Sequence, residues 1–260
     1  MGNGMNKVVD GLYLGNIRDS ENRESLSQNN ITHILSVYNN AKPVLEDMTY
    51  LCIHAADVSS QNLTSHSHGS PSCDGSFSQA TSEDRHIGDA TVCVLIQFGG
   101  RTVHIYFSSS NKSQHFKESI RFIHECRLNG GACLVHCLAG VSRSTTMVVA
   151  YLMTVTTYSW EECLSAVKAV RSFVGPNYGF QQQLQEYQMN QVTEYRAWLR
   201  ASFCHSPFKD QEQVGVLLNQ YIEQQQQENQ RRGGDQGWMN QASSVYPLPY
   251  NAYNGSGGNR

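Results

Sequence analysis

Three things are scarce in this 260-residue sequence, and each scarcity removes a class of function. Positive charge is not in excess: 19 Lys and Arg stand against 22 Asp and Glu, a net charge of −3. No broad cationic field exists to gather a polyanion, so nucleic acid is not an expected partner. Long apolar runs are missing too. The longest, Thr145 to Val155, contains Tyr151 and three threonines and falls short of the roughly 20 residues that a bilayer-crossing helix needs. The N-terminus has no apolar stretch of the signal-peptide kind. Paired CxxC spacing is absent as well, since the eight cysteines at positions 52, 73, 93, 126, 133, 137, 163 and 204 are scattered. A reducing cytoplasmic or nuclear compartment is therefore expected. There most thiols are buried packing groups, and a single one in special surroundings matters more than the count.

At 39% hydrophobic residues the chain can bury one substantial core and still carry appendages. Val8 to Gly15, Ile31 to Val37 and Tyr50 to Ile53 have the β-branched character of strands, with a polar helical stretch, Asp19 to Gln28, after the first. Phe116, Ile120 and Ile123 fall at helical spacing within Gln114 to Leu128, and Asn129-Gly130-Gly131 stops that helix. Ala132 to Val135 reads as a buried central strand, followed by a turn of small residues and a helix from near Ser144. Two more helices are expected, Trp160 to Arg171 and Phe180 to Leu199. The alternation predicts an α/β fold, a mostly parallel central sheet flanked by helices. Thr91 to Phe98 and Arg101 to Phe107, joined by Gly99-Gly100, predict a β-hairpin. Gly233 to Arg260 is rich in Gly, Asn, Ser and Tyr and is expected to lack regular structure.

The turn after the central strand reads His136-Cys137-Leu138-Ala139-Gly140-Val141-Ser142-Arg143-Ser144, the pattern H-C-x5-R-S. Five residues between a thiol and a guanidinium can wrap as one loop. At a helix N-terminus such a loop turns its backbone N–H groups inward and forms an anion nest, helped by the positive end of the helix dipole. Leu138, Ala139, Gly140, Val141, Ser142 and Arg143 are thus the candidate phosphate-binding residues. The same field lowers a thiol pKa, which makes Cys137 the candidate nucleophile. Arg143 would grip the phosphoryl oxygens with two prongs, and Ser144 would donate a hydrogen bond to the departing thiolate. Asp57, in Ala55-Ala56-Asp57 after the third strand, is the candidate general acid. This loop supplies both nucleophile and charge stabilisation, and His54, His66, His68 and His104 match no metal-ligand spacing, so neither metal nor other cofactor is expected.

His136 to Ser144, with Asp57 upstream, resembles the signature of the dual-specificity phosphatases, within the cysteine-based protein tyrosine phosphatase superfamily. The similarity includes Gly11-Leu12-Tyr13-Leu14-Gly15-Asn16 and Pro176-Asn177-Tyr178-Gly179-Phe180, and spans residues 1–64 and 114–208. It implies a protein phosphatase that hydrolyses phosphotyrosine and phosphoserine or phosphothreonine through a phosphocysteine intermediate. It further implies that Cys137, Arg143, Asp57 and Ser144 act as nucleophile, clamp, acid and release donor, with His136 and Asn177 supporting the phosphate loop. The start, Met1 to Lys7, is similar to the small myristoylated atypical members, which implies acylation of Gly2. The general acylation pattern has Ser or Thr where Asn6 stands.

The organisation expected from these readings is an acylation segment at 1–4, a phosphatase domain at 5–204 and a tail at 205–260 that is helical and then irregular. Residues 65–113 interrupt the domain as an insertion directly after the loop of Asp57. The Ser/His/Gly-rich half of that segment has no core-forming pattern, so no evolved role is expected for it, and it is expected to slow catalysis by loosening the acid loop. Two other readings compete. Phosphatases of phosphoinositides or RNA 5′-triphosphates favour extra basic residues around such a loop, and none lies between Cys137 and Arg143. A phosphoprotein-binding protein with weak or no catalysis would result if the insertion perturbed the acid loop. The expected partners are phosphorylated signalling proteins, for a monomer in the cytoplasm or nucleus with a reversible plasma-membrane fraction held by the acyl chain.

Overall fold

The structure is a computed structural model that describes residues 4–63, 91–98, 101–108, 115–203 and 206–242. Gly2, residues 65–90, 99–100 and 109–113 of the expected insertion and the end of the tail, 243–260, lie outside the described residues. The strands are β1 (Asn6–Val9), β2 (Leu12–Gly15), β3 (Ile31–Val37), β4 (Thr49–Ile53), β5 (Thr91–Phe98), β6 (Arg101–Ser108) and β7 (Ala132–His136). The helices are α1 (Ile17–Glu21), α2 (Arg23–Gln28), α3 (His115–Leu128), α4 (Arg143–Val155), α5 (Trp160–Val170), α6 (Tyr178–Asn190), α7 (Val192–Ser202) and α8 (Asp210–Ala242).

One sheet holds all seven strands in the order β1-β2-β7-β3-β4-β5-β6. The inner strands β2, β7, β3 and β4 are parallel: α1 and α2 carry the chain from β2 to β3, α3 leads into β7, and residues 38–48 cross from β3 to β4 without a helix. At each margin the chain turns back on itself and the pairing is antiparallel. The sheet is therefore mixed, and the expectation of a mostly parallel one holds only for its middle. Gly11 is the cause at one margin: its φ of +72° closes a turn, so Val8 to Gly15 forms two strands where one was expected. A register shift between Lys7 and Val9 marks an irregularity in β1, and Val8 and Val9 are buried side by side. At the other margin the expected hairpin is present as β5 and β6, and β5 pairs with β4 at Leu51 and Cys52.

Strands in the middle are apolar on both faces, as parallel strands covered by helices must be. Along β7, Cys133 and Val135 face the larger core with α3 to α7, while Ala132 and Leu134 face a smaller one with Leu26 and Tyr50. The last turn of β7 leads into α4, which is buried along nearly its whole length beneath α3, α5, α6 and α7. A helix buried all round has little freedom to shift. That matters because its first residue is Arg143.

Three helical expectations change. Asp19 to Gln28 forms two short helices, because Asn16 and Asn22 each cap a new start. Phe180 to Leu199 breaks at Gln191, whose φ of −128° leaves the helical region between α6 and α7. In the tail, α8 continues to Ala242, where irregular chain was expected from Gly233. Gln, Glu, Asn and Arg propagate a helix once it has started, the glycines at 233, 234 and 237 cost about 1 kcal/mol each, and no proline intervenes before Pro247. The start of α8 is firmly docked: Asp210 makes two hydrogen bonds with the buried Arg127, at 2.7 and 3.0 Å, and Val214 is fully buried. Packing thus continues past residue 204.

Candidate active site

Because β7 is central and parallel, its carboxyl end opens onto the edge of the sheet where ligands gather in α/β folds. The loop from Cys137 to Ser142 crosses that edge and enters α4. Gly140 has a φ of +68°, and a Cβ there would collide with the backbone of Gly15 at the end of β2. Only glycine lets the loop turn this sharply so close to a neighbouring strand.

A loop that aims its N–H groups inward must turn its carbonyls outward, and each outward carbonyl needs a donor. Three are met by distant parts of the chain. Leu138 O accepts from Ile17 N at 3.3 Å, Gly140 O from Arg171 Nε at 3.0 Å, and Val141 O from Gly175 N at 3.0 Å. Inside the loop, the Sγ of Cys137 accepts from Gly140 N and from Ser144 Oγ, both at 3.2 Å. Burial alone would raise this thiol's pKa. The hydrogen bonds from the Ser144 hydroxyl and from the backbone of Ser144, Val141 and Gly140 outweigh it, and the pKa lies below the ordinary value. Three other buried thiols run the opposite way: burial pushes Cys126 up to about 11, Cys163 up to about 12 and Cys133 well above its ordinary value. Cys137 is thus set apart by donors, and not by burial.

Ser142 stands at the N-cap of α4, yet its hydroxyl makes no capping bond. It donates instead to Asp57 Oδ1 at 2.7 Å and accepts from Asn177 N at 3.1 Å. Free N–H groups at the first turn of α4 are left for an anion. Asp57 Oδ1 also accepts from Asn177 Nδ2 at 2.9 Å, and Asp57 Oδ2 lies 3.6 Å from Arg143 Nε. Arg143 is buried and donates from Nη1 to Ala55 O at 3.0 Å, whereas its Nε has no hydrogen-bond partner. The acid loop is therefore brought onto the phosphate loop. It is held there by the start of α6: Gly179 packs against the Ser59 backbone, and the Gln183 side chain accepts from Leu63 N at 2.5 Å and donates to Gln61 O at 2.6 Å.

His136 is buried, with Nδ1 3.3 Å from Cys137 O and Nε2 2.7 Å from Ser36 Oγ. A carbonyl only accepts, so the proton sits on Nδ1 and Nε2 accepts from the serine hydroxyl. Burial holds its pKa down at about 4, and the ring is neutral at physiological pH. Cys137, Arg143, Asp57, Ser144, His136 and Asn177, all singled out in the sequence, converge here, as do Leu138, Ala139, Gly140, Val141 and Ser142. Gly2 lies outside the described residues. Ile17, Ser36, Arg171, Gly175 and Gln183 were not foreseen. Their contacts with the loops span long separations in the chain, and no local pattern announces them. Among the described residues, no three His, Cys, Asp or Glu side chains stand together as a metal site, and no helix is long and apolar enough to cross a membrane.

Comparison with known proteins gives this geometry its relatives. The family profile of the dual specificity phosphatase catalytic domain matches residues 90–190. The chain is 65% identical over 260 residues to dual specificity protein phosphatase 22-A of Danio rerio, with 100% of both covered. It is 45% identical over 218 residues to dual specificity protein phosphatase 22 of Homo sapiens, covering 84% of this chain and 92% of that one. Among solved structures, the crystal structure of DUSP15 matches with a TM-score of 0.57 at 39% identity, over 78% of this chain and 98% of that one.

Proposed function

The chain belongs to the dual-specificity protein phosphatases, and from that premise we propose how its loops divide the hydrolysis of a phosphomonoester. Its substrates are phosphorylated proteins. The thiolate of Cys137 attacks phosphorus, and an S–P bond forms as the ester P–O bond breaks. Asp57 gives its proton to the leaving oxygen. Arg143 and the inward N–H groups hold the three non-bridging oxygens as charge builds on them. Water then attacks the phosphocysteine, Asp57 takes its proton, and Ser144 Oγ donates to the departing thiolate. Inorganic phosphate leaves and the starting state returns.

The observation that supports this assignment best is the pair of donors on Cys137 Sγ, Gly140 N in the loop and Ser144 Oγ in the first turn of α4. They are placed to stabilise a thiolate both before attack and after release. Hydrolysis of an aryl phosphate by the full chain tests it. Cys137→Ser should lose turnover yet still bind the oxyanion vanadate, because the nest and Arg143 survive, and turnover equal to wild type would sink the mechanism. A non-catalytic phosphoprotein binder is not favoured, since nucleophile, clamp and acid all meet at one point.

For location we infer acylation of Gly2 on the resemblance of Met1 to Lys7 to the myristoylated members. One acyl chain gives only marginal, reversible attachment, so a monomer shared between cytoplasm, nucleus and plasma membrane is the reading it supports. Gly2→Ala should move the protein wholly into the soluble fraction. An unchanged distribution would count against lipidation.

A further inference from the structure

Arg171 follows α5 directly and is 2% exposed, and its hydrogen bonds go to residues distant in the chain. Its guanidinium spans two regions that are far apart in sequence. Nε donates to Gly140 O at 3.0 Å, and Nη1 donates to Gly4 O at 3.1 Å and to Asn6 Oδ1 at 2.7 Å. The Phe173 ring covers it, with the guanidinium carbon 4.7 Å from the ring centroid.

The contact with Gly140 falls at a sensitive point. The carbonyl of Gly140 turns outward to Arg171, while its N–H turns inward to Cys137 Sγ. Fixing the one orients the peptide that carries the other's neighbour, and the φ of +68° leaves this residue few ways to rearrange. We propose that Arg171 is a positioning residue for the phosphate loop, and that Asn6 and the Gly4 carbonyl hold it in place, which makes the start of β1 part of the catalytic machinery. The charge of Arg171 also acts on the site. Burial lowers its pKa, and the nearby Asp19 and Cys137 pull the other way, so the cation and the thiolate stabilise one another.

This inference rests on Cys137 being the nucleophile, and the test keeps the two apart. Unacylated, bacterially expressed full-length protein and its Asn6→Ala, Arg171→Met and Arg171→Lys variants are compared for kcat and KM on an aryl phosphate, for the pH dependence of Cys137 alkylation by iodoacetate, and for Tm. Arg171→Met should lower kcat by roughly 10²-fold, the cost of a slightly misplaced catalytic group. It should also move the alkylation midpoint to higher pH. Arg171→Lys keeps the charge without the fork and should fall in between. Asn6→Ala removes one hydrogen bond from the bracket and should lower kcat by roughly threefold to tenfold. A purely structural arginine would change Tm and leave the alkylation midpoint where it was, and that result overturns the proposal. If Arg171→Met fails to fold, Asn6→Ala decides alone: kcat within about twofold of wild type and an unmoved midpoint overturn the proposal. Turnover surviving in a Cys137→Ser control would instead overturn the nucleophile assignment.

Discussion

Arg127 and Arg143 are both buried, and they are treated in opposite ways. At the tail end of the domain, Arg127 donates to Asp210 twice, to Tyr151 Oη at 2.6 Å and to Asp10 O at 2.7 Å, with the Phe208 ring 3.9 Å from its guanidinium carbon. At the site, among the described residues, Arg143 has one hydrogen bond, to Ala55 O, and its buried Nε makes none, with Asp57 Oδ2 3.6 Å away as its one carboxylate neighbour. Burying a charge is costly unless partners replace water. The first arginine has its partners in the fold. The second has fewer, and on the proposed mechanism the phosphoryl oxygens of a substrate supply what is missing. A saturated buried cation holds the molecule together, and an unsaturated one waits for an anion.

The sharpest way to break that contrast is to remove each cation in turn. Arg143→Ala should lower kcat/KM by roughly 10³–10⁵-fold, the range seen when an arginine stabilises a phosphoryl transition state, while Tm stays level or rises. A large fall in Tm would place Arg143 among the structural cations. Arg127→Ala strands Asp210 in the core and should cost about 3–5 kcal/mol of unfolding free energy, with kcat of the folded fraction unchanged. Denaturant unfolding measures it, and a loss under about 1 kcal/mol would refute the clamp.

A smaller effect comes from the histidines that stand beside the two arginine regions, His124 at the tail end and His136 at the site. Burial holds both at about 4, with Arg127 adding to the depression of His124. Their folded pKa lies below the ordinary 6.5, so between pH 6.5 and 4 the unfolded chain binds more protons. Stability is full above pH 6.5 and falls as pH drops toward 4, by about 2–3 kcal/mol per histidine. Urea unfolding at pH 7 and pH 4.5 tests the slope, and an NMR titration in which either ring protonates near 6.5 would contradict it. The smallest effect is expected from joining Thr64 to Gln114. The structure holds the acid loop through Leu63, Gln61 and Gln183 before that segment begins, so the shortened protein should fold and turn over at least as fast. Loss of fold or of activity would show that the domain cannot dispense with β5 and β6, the two strands at that margin of the sheet.

The catalytic loop was legible in the sequence because its chemistry is local. His136 to Ser144 are contiguous, and a strand before them with a helix after them fixes their geometry. Asp57 was a weaker signal that leaned on the loop at 136–144, since an aspartate after a strand is usually a turn residue and its contacts with Ser142 and Asn177 cross 85 and 120 positions. Arg171 was read as the end of a helix, and its anchor points lie 31, 165 and 167 positions away. Nothing in the period of α5 predicts them. Helix boundaries failed for a different reason: Gln191 carries no breaking signal, and packing of Tyr187 against Tyr195, ring centroids 5.2 Å apart, decides where the chain bends. The tail differs from expectation because polar composition alone does not exclude a helix, and glutamine and glutamate are good helix formers.

The loop that carries Asp57 is fastened at both ends, to Asn177 and Ser142 at the acid and to Gln183 at Gln61 and Leu63. Many enzymes spend their slowest step closing a lid over bound substrate. On the proposed mechanism the acid already stands over the nest, so the clock of the cycle is set by bond breaking. Solvent viscosity, which drags on a moving lid, should leave kcat almost untouched.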